Sequence, residues 1–481
     1  MKHLASSIFT IVILACPTLA HAQSATWLET VNTCIDNGEF SKASKLMKKL
    51  PAGVRRAEAV KIDSLQQIME RIRRDFTLAP ADGIKQIREK MPNATDEQIE
   101  NWKAKRNIET MTIDGQEWWF RKAVRNLWLL GSEFKSENAD DNRQTADSYR
   151  KYVAEAMKHT PDRNGVRDWR RANITFSLDV NADAVPAGET LRVWMPFPYE
   201  NLRQRDIKLL SSNRPVTMSE GSLHHTVYME AKAEKGKPTH FEYTLSYLVG
   251  ERHLAQSDIL MLLEPYDTAS DTYKRYTASQ PPHIVVTDSL RQLALRIVDG
   301  ETNPVLQALK IYNWISATFP WAGAREYSTI RNMPTYVLAN GHGDCGQVAL
   351  LYITLVRSLG IPARWESGYM LHPGEVNFHD WAETYFEGVG WVPTDQSFGR
   401  STQGTVLNDY YATGIDLYRF ASNEGIGDKL SPPKKYIRSE TVDFQPGEVE
   451  WRKGNLYYGS WSSHFNVNSI TSIDGQQASQ Q

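Results

Sequence analysis

The sequence predicts an α+β protein of several domains, and three observations point that way. Its 481 residues exceed the length at which a single hydrophobic core keeps growing. The hydrophobic period changes along the chain, from steps of three and four residues to strict alternation and then to a mixture of both. Hydrophobic residues make up 41% and charged residues 23%, the balance of an ordinary soluble protein, which excludes global disorder, a collagen-like chain and an integral membrane protein. The expected order is a leader over 1–22, a mostly helical region over 23–160, a β-sandwich-like domain over 166–255, a mixed α+β domain over 280–400, a β-rich extension over 401–468 and a flexible tail over 469–481.

The leader is read from Lys2 and His3, an apolar run from Ile8 to Ala15, and the small-residue site Ala20-His21-Ala22 before Gln23. The run is too short to span a bilayer, so export to a periplasm or the exterior is expected, with no transmembrane segment once the leader is removed. Cys16 raises a lipoprotein alternative, but Leu14 is bulky where a lipobox wants a smaller residue, and cleavage after Ala22 fits better. The leader holds Lys2 and no acid, which leaves 54 basic against 57 acidic residues and implies no nucleic-acid partner. Arg71, Arg73 and Arg74 read as a solvated helix face. Only Cys34 and Cys345 remain after the leader, and their separation favours two free thiols over a bridge.

In the helical region Ile62, Leu65, Ile68, Met69, Ile72 and Phe76 fall on one face. Thr95 followed by Gln98 has capping-box spacing and marks a helix start. Between Ile108 and Phe120 the pattern becomes a strand pair turned at Asp114-Gly115, and Trp118, Trp119 and Trp128 are expected to be core rather than a sugar platform. The turn formers of 161–165 suggest a boundary. Beyond it, Ile174, Phe176, Leu178 and Val180, then Leu191, Val193 and Met195, then Phe241, Tyr243, Leu245, Tyr247 and Val249 alternate with polar residues as half-buried strands of a sandwich. His224 and His225 are adjacent on a strand-like run and point to opposite faces, so they make a poor metal pair.

The chemistry lies in the mixed segment. Gly341-His-Gly-Asp-Cys345-Gly-Gln leads into a helix with an apolar face of Val348, Leu351, Tyr352, Leu355 and Leu359, stopped by Gly360 and Pro362. Cys345 is therefore expected at a helix N-terminus, where free N–H groups and the dipole would lower its thiol pKa. His379 follows 34 residues later at the start of a strand, and Asp395 another 16 residues on, after a Gly388-Val-Gly390 turn. Two antiparallel strands joined by that turn would set Asp395 beside His379, where a carboxylate fixes the imidazole tautomer and stabilises imidazolium. Alone, each residue has an ordinary structural explanation, and only the constellation carries chemistry. His342 and His372 have weaker claims, and Cys34 has no base nearby in sequence.

The Gly-Asp-Cys345-Gly helix start, the Leu359-Gly-Ile-Pro-Ala-Arg364 helix exit, the His379-x-Trp381 strand and the Gly390-Trp-Val-Pro-x-Asp395 strand resemble the transglutaminase-like superfamily, in that family's order, over about 120 of the 481 residues. The resemblance implies a papain-like/transglutaminase-like catalytic domain with Cys345 as nucleophile, His379 as general base and Asp395 as orienting carboxylate. It implies acyl transfer from a peptide or protein amide substrate. No cofactor is expected, since no loop has the spaced oxygen ligands of a calcium site. Water is favoured as acyl acceptor, which gives a peptidase or amidase; amine crosslinking, and a non-catalytic envelope scaffold or glycan-binding protein, are the alternatives. Within the family, Trp321 and Tyr327 occupy the segment from which an aromatic oxyanion donor often comes, although packing is the expected role of both.

Overall fold

The computed structural model describes residues 17–130, 139–399, 406–457 and 459–473. The expected leader therefore lies outside the described residues up to Cys16, and 17–22 form the first turns of a helix, Pro17–Asp36. Two compact units are present: one comprises the residues up to Glu89 with Glu109–Arg121, the other Lys90–Ile108 and everything from Lys122.

In the smaller unit, the helix Ala59–Asp75 buries Leu65, Met69 and Ile72 on one face, as its period requires. A three-stranded sheet places Gln116–Phe120 between Phe76–Leu78 and Thr110–Ile113. Its hairpin turns at Asp114 and Gly115, both with positive φ (50° and 90°), the geometry that favours Asp-Gly at such a turn. Trp119 is core, and it lies so close to Gly83 that a Cβ there would meet the indole at 2.3 Å.

The larger unit opens with the helix Asp96–Ala104, capped as expected: Gln98 N donates to Thr95 Oγ1 at 3.2 Å and Thr95 N to Gln98 Oε1 at 2.9 Å. The helix Ala139–Ala156 belongs to this unit too, so the turn at 161–165 is not the division between the units. The reason is aromatic packing: Tyr149 lies 4.5 Å from the His372 ring and Tyr152 4.9 Å from Tyr418.

The alternating segments form two five-stranded antiparallel sheets. In one, Val166–Val180 lies between Thr239–His253 and Trp461–Ser472; in the other, Thr190–Pro196 lies between Thr226–Lys232 and Glu448–Trp451. The apolar positions read from the sequence, Ile174, Phe176, Leu178, Val193, Met195, Tyr243 and Leu245 among them, are fully buried between them. Two expectations change here. The C-terminal strands are not an appendage, because they complete both sheets, and Ser469–Ser472, expected to fray, pair with Arg170–Asn173 as the end of a long strand. His224 and His225 precede the strand Thr226–Lys232: His224 bonds Gly425 O at 3.0 Å, while His225 stacks on Tyr199.

A third, four-stranded antiparallel sheet runs in the order Gly390–Thr394, Glu375–Phe386, Ala363–His372, Arg419–Asn423. The helix Cys345–Ser358 packs on it and against the helices Asp288–Val298, Pro304–Thr318 and Met333–Asn340. Every residue from Gly346 to Ser358 is buried, where the sequence suggested one apolar face. Enclosure on all sides requires internal partners for the polar residues: Thr354 Oγ1 donates to Leu350 O at 2.7 Å and Arg357 Nε to Ala363 O at 2.9 Å.

Candidate active site

Asp344 caps the Cys345 helix by accepting from Gln347 N at 3.1 Å, while Gln347 Oε1 accepts from Asp344 N at 3.2 Å. The other duty of Asp344 is to accept from the Tyr327 hydroxyl at 2.5 Å, so that hydroxyl holds the cap in place and is not aimed at the sulfur. Gly346 has to be glycine, because a Cβ would lie 2.4 Å from the Tyr327 hydroxyl oxygen and 2.8 Å from Asp380 Oδ2. Cys345 is thus at the first helical position, as the sequence indicated, and remains partly exposed. Trp321 bridges to Gly343 and is 39% exposed, standing beside the segment that leads to the thiol. Cys34 is a second free thiol, at 3% exposure, in the smaller unit.

His379 lies on the inner strand Glu375–Phe386, opposite Gly368. In the neighbouring hairpin Thr394 is opposite Ala382, so the next residue, Asp395, comes up beside Trp381 on the face that Trp381 shares with His379. The outcome is a bond of 2.7 Å between His379 Nε2 and Asp395 Oδ2. The imidazole is further fixed by stacking on Trp381 at 5.8 Å and by the edge of Phe398 at 5.1 Å. With Nε2 engaged by Asp395, Nδ1 is the nitrogen turned away from that carboxylate.

Asp395 is wholly buried and nonetheless well supplied with donors. Oδ1 accepts from Ser397 N at 3.1 Å and Oδ2 from Arg419 Nη2 at 3.3 Å. Burial pushes its carboxyl up, but His379 and Arg419 outweigh burial and hold it below the usual carboxylate range. Arg419, also fully buried, donates from Nη1 to Asp416 Oδ1 at 3.0 Å; Asp416 accepts in turn from the Tyr411 hydroxyl at 2.7 Å and bonds His372 Nε2 at 3.2 Å. His372 is therefore part of a buried network behind the carboxylate. His342 is anchored elsewhere, with Nε2 3.1 Å from Arg106 O.

The thiol departs from expectation. Cys345 Sγ donates to Asp380 Oδ2 at 3.4 Å, and among the described residues it makes no hydrogen bond to His379. Burial, then the carboxylates of Asp380 and Asp344, push the Cys345 thiol well up, where the helix terminus alone predicted a lowered value. The correction comes from side chains that the local helix argument does not include. Asp380 itself is pushed well up by burial and by Asp443 and Asp344, and its Oδ1 accepts from Gln445 Nε2 at 2.7 Å. Sequence reasoning missed Asp380, Arg419, Asp416 and Gln445. Only Asp380 had a signal, since strand alternation from His379 places it on the opposite face, toward the helix.

Residues 291–396, which contain Cys345, His379 and Asp395, match the profile of the transglutaminase-like superfamily. This segment is a transglutaminase-like domain. It is completed by Arg419, Asp416 and Gln445 from beyond the matched residues. Two curated relatives align with part of the chain. The uncharacterized protein YebA of Bacillus subtilis is 25% identical over 27% of this chain and 20% of its own length. An uncharacterized protein of Haemophilus influenzae is 26% identical over 24% of this chain and 38% of its own length. The chain thus spans well under half the length of either. Among solved structures, a candidate cysteine protease from Cytophaga hutchinsonii aligns at 18% identity with a TM-score of 0.38, covering 62% of this chain and 98% of its own. The periplasmic domain of TgpA from Pseudomonas aeruginosa aligns at 15% identity with a TM-score of 0.24, covering 49% and 92%. Among the described residues, no helix is long and apolar enough to cross a membrane, and no group of His, Cys, Asp and Glu is arranged to hold a metal ion.

Proposed function

We propose that this chain is an exported thiol enzyme that hydrolyses amide bonds of peptides or proteins, with Cys345 as nucleophile, His379 as general base and acid, and Asp395 as the carboxylate that orients the histidine. The observation that carries the reading is the 2.7 Å bond from His379 Nε2 to a carboxylate held ionised by Arg419, in a domain whose helix begins at Cys345. That bond selects the tautomer with Nδ1 free and stabilises imidazolium once it forms. In the reaction the Cys345 S–H leaves Asp380 Oδ2 and passes its proton to His379 Nδ1, the sulfur attacks the amide carbon, the proton moves on to the departing amine, and a thioester remains for water to cleave. The Cys345 N–H, at the first helical position and without an intrahelical acceptor, is the natural donor to the oxyanion. Export rests on the leader pattern of residues 1–22, and an N-terminus at Gln23 in the secreted protein is its direct check.

The test of hydrolysis is product analysis. Purified mature protein is incubated with peptide amides, with and without a primary amine, and ammonia release and product masses are followed alongside Cys345→Ala. Acid product that depends on Cys345 supports hydrolysis. Amine conjugates as the main product would replace it with crosslinking, and turnover undiminished in Cys345→Ala would remove the enzyme reading.

A further inference from the structure

Successive residues of a strand point to opposite faces, so the ring of His379 and the carboxyl of Asp380 diverge. Asp380 turns toward the Cys345 helix and is 3% exposed. Its orientation is fixed at both ends. Gln445 Nε2 donates to Asp380 Oδ1 at 2.7 Å and to His379 O at 3.1 Å, so one amide secures both the carboxyl and the backbone that carries the histidine. The other oxygen, Oδ2, faces Cys345 Sγ at 3.4 Å, across a gap left open because residue 346 has no side chain. A carboxyl locked against the nucleophile has one consequence when neutral and the opposite one when ionised.

We propose that Asp380 is a second catalytic residue of the thiol site. As a neutral acid it donates a hydrogen bond to the Cys345 thiolate, and as a carboxylate it accepts the S–H and keeps the sulfur protonated, so its ionisation sets an alkaline limit to the reaction.

This rests on Cys345 being the nucleophile. In the competent form the sulfur is a thiolate, His379 is an imidazolium and Asp380 keeps its proton. The sulfur lone pair forms the C–S bond, the His379 proton leaves with the amine, and the Asp380 proton stays where it is. When Asp380 loses its proton to solvent, a thiolate beside it would be one anion against another, and the sulfur takes back the proton held by His379, leaving a neutral thiol and a neutral imidazole. The groups facing this carboxyl are Asp443 and Gln445 from the C-terminal loop, Cys345 and Asp344 from the helix start, Tyr327 from the turn before it and Asp395 from the neighbouring strand end; burial and the three acids favour its protonated form, while the bond to Cys345 pulls the other way. Asp443, pressed by burial and Glu326, is itself pushed up to about 7.

The test is the rate of alkylation of Cys345 by iodoacetamide from pH 4 to 9, read by peptide mapping so that buried Cys34 serves as the folding control, with turnover measured alongside. The wild type is expected to lose reactivity as Asp380 ionises and to regain it only at alkaline pH, where the thiol ionises unaided. Asp380→Asn, which can still donate to sulfur but cannot ionise, is expected to lack the falling limb and to react about tenfold faster or more at pH 8, since one pKa unit is a factor of ten. Gln445→Leu removes a hydrogen bond that favours the carboxylate, so its falling limb should move to higher pH. Profiles of the same shape and position in all three proteins overturn the proposal. Because alkylation reads Cys345 directly, turnover surviving in Cys345→Ala would refute the proposed function without deciding the coupling of Asp380 to the thiol.

Discussion

Replacing Arg419 by Met retains most of the stem and deletes the guanidinium on which two buried carboxylates depend. Asp395 and Asp416 are each within 3.3 Å of it, and all three side chains are at most 2% exposed. Taking one partner from a buried ion pair leaves an uncompensated charge and costs about 3–5 kcal/mol. That is a large fraction of the roughly 5–15 kcal/mol by which a folded protein is stable. The pH dependence follows from the sign of the shifts. Asp395 and Asp416 both have folded-state values held down, Asp395 by His379 and Arg419 against its burial, Asp416 by Arg419 and His372 against its own. Their contribution is present above the unfolded aspartate value of about 3.9 and is lost as pH falls through the folded values. The gap between wild type and Arg419→Met should therefore be widest near neutrality and shrink in acid. Urea unfolding at pH 7 and at about pH 2.5, inside the window below the unfolded aspartate value, measures it. Adding Asp416→Asn should restore part of the loss, with a coupling of about 0.5–3 kcal/mol, because one of the stranded charges is then gone. A variant within about 1 kcal/mol of wild type at pH 7, with no change on acidification, would show that the network does not hold Asp395 as described.

Glu251 is 1% exposed, and burial, helped by Asp416 and only partly offset by the Tyr410 hydroxyl, pushes its carboxyl up to about 9. Above the unfolded glutamate value of about 4.3 the folded protein keeps a proton that the unfolded chain has lost, so stability falls as pH rises, by about 4 kcal/mol at pH 7. Glu251→Gln should melt higher than wild type at pH 7 to 8 and match it near pH 4; equal melting temperatures at both would refute this. Asp395→Asn should fold by circular dichroism and lose roughly 10²–10⁴ in turnover, with His379→Ala adding little on top, since residues that act as one unit lose most of their effect at the first removal. Additive losses would place the two residues in separate roles.

What the sequence made legible was mainly local. Thr95 and Gln98 sit three apart as a reciprocal cap, Asp114-Gly115 supplies the two positive φ angles of its hairpin, and alternation in 174–180 and 241–249 marks the buried face of the sandwich. The meeting of His379 and Asp395 was also legible, because a hairpin with a short glycine turn fixes which residues face each other. Contacts made across long stretches of chain carried no such signal. Arg419 reaches Asp395 only because Arg419–Asn423 joins the edge of the third sheet, and Ser469–Ser472 are ordered only by pairing with Arg170–Asn173. The thiol shows the same limit in energetic terms: the helix terminus argues for a lowered pKa, and the Asp380 and Asp344 carboxylates, with burial, reverse it. Asp380 follows His379 directly, yet its effect on Cys345 depends on Gly346 leaving room and on Gln445 holding the carboxyl in place.

The central claim is that Cys345 receives an acyl group, and trapping that group tests it most directly. Protein mixed with an activated peptide amide, quenched in acid within a turnover and mapped by mass spectrometry should carry the acyl mass on the Cys345 peptide. The adduct should be absent in Cys345→Ala and should form far more slowly in His379→Ala. Amide turnover that continues in Cys345→Ala, with no acyl group on the Cys345 peptide of the wild type, would contradict the account.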